Sequence, residues 1–68
     1  MSDKYRLLRA RMVEKYGSVL EFSKKINKNY QNIINKLNDL TKINTEEMRE
    51  WSEALDIESE EVGRFFMP

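Results

Sequence analysis

The sequence predicts an all-α domain of five short helices. Apolar residues recur at intervals of three and four along most of the chain, which places them on one face of a helix. Ser, Asn and Gly, which favour helix ends, separate these stretches. Strand signals are weak, because the chain has no hairpin dipeptide and no sustained alternation of apolar and polar residues. The 68 residues are expected to form one domain, near the lower size limit for an unassisted core.

The first two helices have recognisable ends. The first is expected from Asp3 to Tyr16, and Gly17 supplies its stop. Its apolar stripe consists of Tyr5, Leu8, Met12 and Tyr16, with Leu7 and Val13 beside it. The second helix begins after Ser18, whose hydroxyl can accept a backbone N–H of the first turn. It ends at Asn27, because Asn tolerates the left-handed conformation that terminates helices. Its apolar positions are Val19, Phe22 and Ile26.

The third helix is expected over residues 30–38 and has an unusually polar face. Asn29 is its predicted N-cap, and Ile33 and Leu37 face the core. The remaining positions are Tyr30, Gln31, Asn32, Asn35, Lys36 and Asn38. Asn has poor helix propensity, so its repeated use here needs a reason. Flat amides both donate and accept hydrogen bonds, which is what the base edges of a major groove require.

The fourth and fifth helices carry most of the acidic residues. After a loop over residues 40–43, Asn44 is expected to cap the fourth helix, and Glu47 completes a capping-box pattern. Its inner face is predicted to consist of Met48, Trp51, Ser52 and Leu55. Ser59 or Glu58 is expected to cap a short fifth helix, whose acidic first turn favours the helix dipole. The apolar positions of that helix are Val62, Phe65 and Phe66.

The segment from Ser18 to Asp39 resembles the helix-turn-helix of the phage repressor/Cro family, the lambda-repressor-like DNA-binding domains. The family pattern begins with a polar helix start, a small residue in mid-helix and a turn residue, and these places are held by Ser18, Ser23 and Asn27. It continues with a second polar helix start, a β-branched core residue and a closing pair, which are held by Asn29 to Asn32, Ile33 and Asn38-Asp39. The departures are Asn27 for the turn Gly, Ser23 for Ala, and Asp39 for the closing Gly. The resemblance covers roughly residues 7–66. It implies a small transcriptional regulator that binds an operator in double-stranded DNA.

That resemblance and the motif's docking geometry assign roles to eight side chains. The expected base-reading residues are Tyr30, Gln31, Asn32 and Asn35. The expected phosphate contacts are Ser18, Lys28, Lys36 and Lys42. Some alternatives stay open: Asn32 could have a packing role, Ser18 could act as a cap alone, and the polar face could simply be solvated. Ile34 is apolar where a polar residue is expected, and either completes the packing or touches a thymine methyl.

Charge is segregated along the chain although the formal net charge is zero. Ten basic residues stand against four acidic ones in residues 1–42, and two against eight in residues 43–68. DNA binding depends on local neutralisation of phosphates, so the first half is expected to face DNA. Helices four and five are then expected on the far side, because carboxylates repel phosphates. Helix-dipole interactions on a solvated surface are the alternative explanation.

The C-terminal residues are predicted to form an intermolecular surface. Phe65 and Phe66 are adjacent on a short helix, so one small core is not expected to bury both rings. With Met67 they are candidates for a dimer interface, and a homodimer would double the DNA contacts of one module. The alternative is that the chain end folds back and buries both rings.

Several functions are made improbable by what the sequence lacks. It has no Cys and no His, hence no disulfide and no site for a soft metal, and it has no glycine-rich phosphate loop. We therefore expect no enzyme, no cofactor and no small-molecule substrate. No apolar run reaches membrane-spanning length and no signal-peptide core is present, so a cytoplasmic, nucleoid-associated protein is expected.

Two other interpretations of the chain remain. One is a protein-binding phage modulator, an anti-repressor that uses the acidic or aromatic C-terminal half. The other is that the chain is the N-terminal domain of a longer repressor.

Overall fold

The computed structural model describes residues 4–67, which form five α-helices, one 3-10 turn and no strand. The helices are α1 (Arg6–Tyr16), α2 (Val19–Lys25), α3 (Tyr30–Leu37), α4 (Thr45–Leu55) and α5 (Val62–Phe66), and the 3-10 turn spans Ser59–Glu61. The predicted all-α class is confirmed. The expected start of the first helix at Asp3 lies outside the described residues, and Lys4 and Tyr5 form a turn before α1. None of the helices within residues 4–67 is long and apolar enough to cross a membrane.

The predicted caps begin α2, α3 and α4. The side chains of Ser18 and Asn29 each accept a hydrogen bond from the backbone N–H three residues later, at 3.0 and 3.1 Å. Asn44 and Glu47 form a complete capping box, with N–H···O distances of 2.8 and 3.1 Å. Each bond satisfies a backbone donor that has no partner inside its own helix.

Left-handed residues end the first four helices. Gly17 follows α1 with φ 93°, and Asn27, Asp39 and Asp56 follow α2, α3 and α4 with φ of 57°, 61° and 55°. After each of these three, the next N–H donates to the carbonyl five residues before it, at 2.9, 2.8 and 2.9 Å. This is the Schellman arrangement, which satisfies a terminal carbonyl and reverses the chain. The prediction for Asn27 is confirmed.

One apolar cluster fills the centre of the protein, and a series of aromatic rings crosses it. The centroids of Tyr16 and Phe22 are 5.6 Å apart, those of Phe22 and Trp51 5.8 Å, and those of Trp51 and Phe66 6.3 Å. The other fully enclosed apolar side chains are Leu8, Met12, Ile33, Leu37 and Leu55. All five helices therefore contribute to one core, and the predicted apolar stripe on α1 faces it through Leu8 and Met12.

The expectation that Phe65 and Phe66 could not both be buried is wrong, because each is only 3% exposed. The reason is that α5 lies in a corner between α1 and α4. Phe66 packs against Trp51, and the ring of Phe65 lies near two guanidinium groups, at 5.1 Å from Arg11 and 5.6 Å from Arg64. Of the three candidates for a dimer interface, only Met67 is exposed.

Basic residues of α1 attach that helix to the ends of α3 and α4. Arg9 donates a hydrogen bond to the side chain of Asn38, just after α3, at 3.0 Å. Arg11 donates to the carbonyl of Leu55, the last residue of α4, at 2.8 Å. Lys15 forms an ion pair with Asp56. Cations at helix C-termini are favourable because they complement the helix dipole. Much of the positive charge in the first half thus has an internal role.

Candidate nucleic-acid interface

α2 and α3 are joined by residues 26–29 and pack closely through small and apolar side chains. Ser23 occupies the mid-helix position of α2 that calls for a small residue, and it is buried. Its hydroxyl donates to the carbonyl of Leu20 at 2.6 Å, so the buried polar group is satisfied. Ile33 and Leu37 fix the inner face of α3 in the core. The orientation of the outer face of α3 follows from these contacts.

The four predicted base-reading residues lie on the exposed part of α3. Helical geometry places Gln31 and Asn35 opposite the buried Ile33, with Tyr30 and Asn32 on the two flanks. Tyr30, Gln31 and Asn32 are exposed and Asn35 is half-buried. The exposure of Asn32 removes the packing role that the sequence left open. The structure therefore brings together the side chains that the sequence predicted would act together.

Gln31 and Asn35 hold each other in position. The side-chain N–H of Gln31 donates to the side-chain oxygen of Asn35 at 3.0 Å. This i, i+4 contact leaves the oxygen of Gln31 and the amide N–H groups of Asn35 without an intramolecular partner among residues 4–67. The outer face of α3 thus presents an acceptor and a donor side by side.

The predicted phosphate-binding residues differ in how accessible they are. Ser18 accepts its capping bond but its O–H can still donate to another group. Lys42 is exposed in the loop after α3 and forms no ion pair or hydrogen bond with the part of the chain described. Lys28 and Lys36 are instead turned towards carboxylates of α4.

Two carboxylates of α4 reach lysines at the ends of α3, so the expectation that the acidic residues of α4 lie on the far side is wrong for Glu47 and Glu50. Lys36 Nζ is 3.0 Å from a carboxylate oxygen of Glu47, and their side chains are only 16% and 24% exposed. Lys28 Nζ is 4.0 Å from Glu50, with both side chains more exposed. Glu47 and Glu50 are functional candidates that the sequence reasoning missed. The capping-box pattern predicted that Glu47 lies in the first turn of α4, but no local signal indicates which lysine its carboxylate faces.

Four exposed basic residues have no ion-pair or hydrogen-bond partner within residues 4–67: Arg6, Lys25, Lys42 and Arg49. Lys25 lies in the last turn of α2, close in sequence to the turn that leads into α3. These groups, rather than the whole basic half of the sequence, are the cations that an anionic partner would find unpaired.

A second surface feature is an apolar groove between α4 and the segment that leads into α5. Its volume is about 360 Å³, and its lining includes Thr45, Met48, Ser52, Ile57 and Val62. The hydroxyl oxygen of Ser52 is buried and has no hydrogen-bond partner among the described residues. Within residues 4–67, no group of acidic side chains could hold a metal ion.

The chain matches a protein-family model over its full length. A family model described as "Protein of unknown function (DUF739)" matches residues 1–68, which is the whole chain. No curated protein and no solved structure matches the chain. The family description names no activity, ligand or partner.

Proposed function

The chain belongs to the DUF739 family, and we propose that it is a sequence-specific, duplex-DNA-binding transcriptional regulator of the phage repressor/Cro type. In this proposal α3 enters the major groove, whose width admits an α-helix. The observation that carries the proposal is the paired Gln31 and Asn35 on the face of α3 opposite the core. Two flat amides held side by side on the outer face of α3 have the chemistry of base recognition.

The amide pair favours adenine. Adenine presents an acceptor, N7, and a donor, the N6 amino group, to the major groove. The free oxygen of Gln31 can accept from N6, and an amide N–H of Asn35 can donate to N7. Because each side chain is already held by the other, less rotamer entropy is lost when DNA binds. Tyr30 and Asn32, on the flanks of α3, would contact neighbouring bases or sugars.

Contacts to the phosphates would position α3. Lys42 is exposed and unpaired within the described chain, and Ser18 retains a hydroxyl that can donate to a phosphate oxygen. Such contacts supply sequence-independent affinity and orientation, whereas the base contacts supply specificity. One module covers one half-site, so two copies on DNA would extend the sequence that is read. The regulatory role itself follows from the resemblance of residues 18–39 to the repressor/Cro motif.

The test is selection of a duplex from a random pool at stated salt, followed by affinity measurement with variants. Gln31→Ala and Asn35→Ala are each expected to weaken binding of the selected duplex by about 1–3 kcal/mol and to relax one base preference. Glu60→Ala, which trims an exposed side chain on the 3-10 turn, is the control and should bind like the parent. Circular dichroism would verify that all three variants are folded. Unchanged affinity in both α3 variants would contradict major-groove recognition by this helix.

The second candidate function is protein binding through the groove beside α4. The observation in its favour is an apolar groove with a buried, unpartnered Ser52 hydroxyl, next to the acidic residues of α4. An anti-repressor of this kind would need no affinity for DNA. A parent protein that retains no duplex at low salt and high protein concentration would favour this candidate over the first.

A further inference from the structure

Two lysines stand at the two ends of α3, and α4 supplies a carboxylate to each. Lys28 precedes α3 and faces Glu50, while Lys36 lies in the last turn of α3 and faces Glu47. Both lysines occupy positions from which a DNA-reading helix would contact the phosphate backbone. Their partners come from a different helix, so the pairing is a property of the folded protein and not of local sequence.

The Lys36–Glu47 pair is the more firmly held of the two. One oxygen of Glu47 accepts a hydrogen bond from the backbone N–H of Asn44 at 3.1 Å, and the other oxygen lies 3.0 Å from Lys36. The capping box therefore fixes the carboxylate in front of the lysine. The low exposure of both side chains also reduces screening of their attraction by salt. The Lys28–Glu50 pair is longer and more exposed, which makes it weak.

We propose that Glu47 and Glu50 restrict sequence-independent binding of duplex DNA by holding Lys36 and Lys28 in ion pairs at the ends of α3. This inference rests on the proposed function. It specifies how the affinity for DNA is divided between sequence-independent contacts to phosphates and sequence-specific contacts to bases. Non-specific binding to DNA derives almost entirely from neutralised phosphates. A protein whose flanking lysines are already paired with carboxylates gains little from any duplex until its base contacts are also made. Glu47 and Glu50 are thus specificity-determining residues that need not touch a base.

The test compares two double variants with the same change in net charge. Glu47→Gln/Glu50→Gln removes the carboxylates that face Lys36 and Lys28. Glu58→Gln/Glu60→Gln removes two exposed carboxylates at the start of the 3-10 turn, which form no ion pair with either lysine. The amide introduced at position 47 can still accept the capping bond, because Gln serves in capping boxes as well as Glu. Dissociation constants are measured over a salt series for the selected duplex and for a scrambled duplex of equal length.

The first double variant is expected to bind the scrambled duplex roughly 2- to 30-fold more tightly than the parent, the range that two ion pairs of ordinary strength allow. The slope of the logarithm of its binding constant against the logarithm of the salt concentration should become steeper by up to about 1.8. Each lysine released to contact a phosphate contributes about 0.9 to this slope. Preference for the selected duplex should fall. Glu47→Gln alone should raise the affinity for the scrambled duplex more than Glu50→Gln alone. Adding Lys36→Ala to Glu47→Gln should remove this gain in affinity.

Two contrary results have different meanings. If both double variants match each other in scrambled-duplex affinity and salt dependence while the parent binds its selected duplex, the inference is wrong and the DNA-binding function stands. If the parent and both double variants retain no duplex at low salt and high protein concentration, the proposed function is wrong and the inference falls with it. Thermal unfolding of each variant establishes that the proteins compared are folded. Glu50→Gln is the substitution least expected to disturb folding, because Glu50 lies in the middle of α4 and takes no part in its capping box.

Discussion

Three helices end on left-handed residues that are not glycine, and two of these side chains have a second role. Asp39 pairs with Lys4 and Asp56 pairs with Lys15, so each carboxylate connects a helix end to the N-terminal part of the chain. A glycine would adopt the same backbone without strain but could not form these contacts. Asn27 forms no side-chain hydrogen bond within residues 4–67, so its place in the turn rests on backbone tolerance alone.

Substitution of Asn27 should therefore depend on backbone conformation only. Asn27→Gly is expected to change the free energy of unfolding by less than about 1 kcal/mol, because relief of left-handed strain is offset by the greater freedom of glycine in the unfolded chain. Asn27→Val should lower it by roughly 1–2 kcal/mol, since a β-branched residue fits left-handed backbone poorly. Chemical denaturation of the pair measures the difference. Equal stability of the two variants would contradict the positive φ at this position.

Ser52 offers a substitution that should increase stability. Its buried hydroxyl oxygen has no hydrogen-bond partner among the described residues, and an unsatisfied buried polar group costs about 1–3 kcal/mol. Ala at this position removes the group and has better helix propensity. Ser52→Ala is expected to raise the free energy of unfolding by about 1 kcal/mol, measured by thermal or denaturant unfolding. A loss of stability would show that the hydroxyl has a partner, such as a bound water.

At the scale of the element, α5 exists because of what it packs against. Five residues are too few to form a stable helix alone in water. The two rings of Phe65 and Phe66, enclosed between α1 and α4, supply the burial that offsets its conformational entropy. Phe65 and Phe66 are thus part of the core. Of Phe65, Phe66 and Met67, only Met67 is accessible to a partner.

Alanine substitutions along α5 should separate core from surface. Phe66→Ala is expected to cost roughly 3–5 kcal/mol, as for other buried aromatic residues, which is a large share of the stability of so small a domain. Met67→Ala, the exposed neighbour, should change stability by less than about 0.5 kcal/mol. Denaturant unfolding gives both values. The reverse order would mean that the rings are exposed and available for a dimer.

At the scale of the whole molecule, three ion pairs join the basic half of the chain to the acidic half. Lys15, Lys28 and Lys36 pair with Asp56, Glu50 and Glu47. α1 is central to this arrangement, because its basic side chains reach the C-terminal ends of both α3 and α4. Part of the charge segregation seen in the sequence therefore serves attraction between helices of the folded protein.

The internal role of α1 predicts unequal effects for two of its arginines. Arg11 donates to Leu55 and lies over the ring of Phe65, whereas Arg6 has no such partner among the residues described. Arg11→Ala should lower the free energy of unfolding by about 1.5–3 kcal/mol, the usual value for a hydrogen bond from a charged donor. Arg6→Ala should stay within about 0.5 kcal/mol of the parent. Similar losses in both variants would indicate that total charge, rather than the contact, stabilises the fold.

Features that depend on a few neighbouring residues could be predicted from the sequence, and features that depend on helix docking could not. The caps at Ser18, Asn29 and Asn44 are local, since each side chain bonds to a backbone group three residues away. The outer face of α3 followed from helical periodicity once Ile33 and Leu37 were assigned to the core. The burial of Phe65 and Phe66 required knowing that α5 fits between two other helices.

The availability of the lysines was also beyond local reasoning. Lys36 was assigned to phosphate binding because of its charge and its place on α3. Its partner Glu47 is on another helix, and only the packing of α4 brings the two side chains together. The exposure of Tyr30, Gln31 and Asn32 could be predicted because it depends only on the periodicity of α3. The exposure of Lys28 and Lys36 could not, because their partners lie on another helix.

Trp51 is the only tryptophan of the chain, and its position in the aromatic series makes it an intrinsic optical probe. The indole is almost inaccessible to water and touches rings from α2 and α5. Its emission should therefore be blue-shifted in the folded protein and move to longer wavelength when the core opens. Because Trp51 does not belong to the outer face of α3, binding of a duplex should leave the emission wavelength unchanged. One fluorescence signal thus distinguishes a variant that has unfolded from one that is folded but no longer binds.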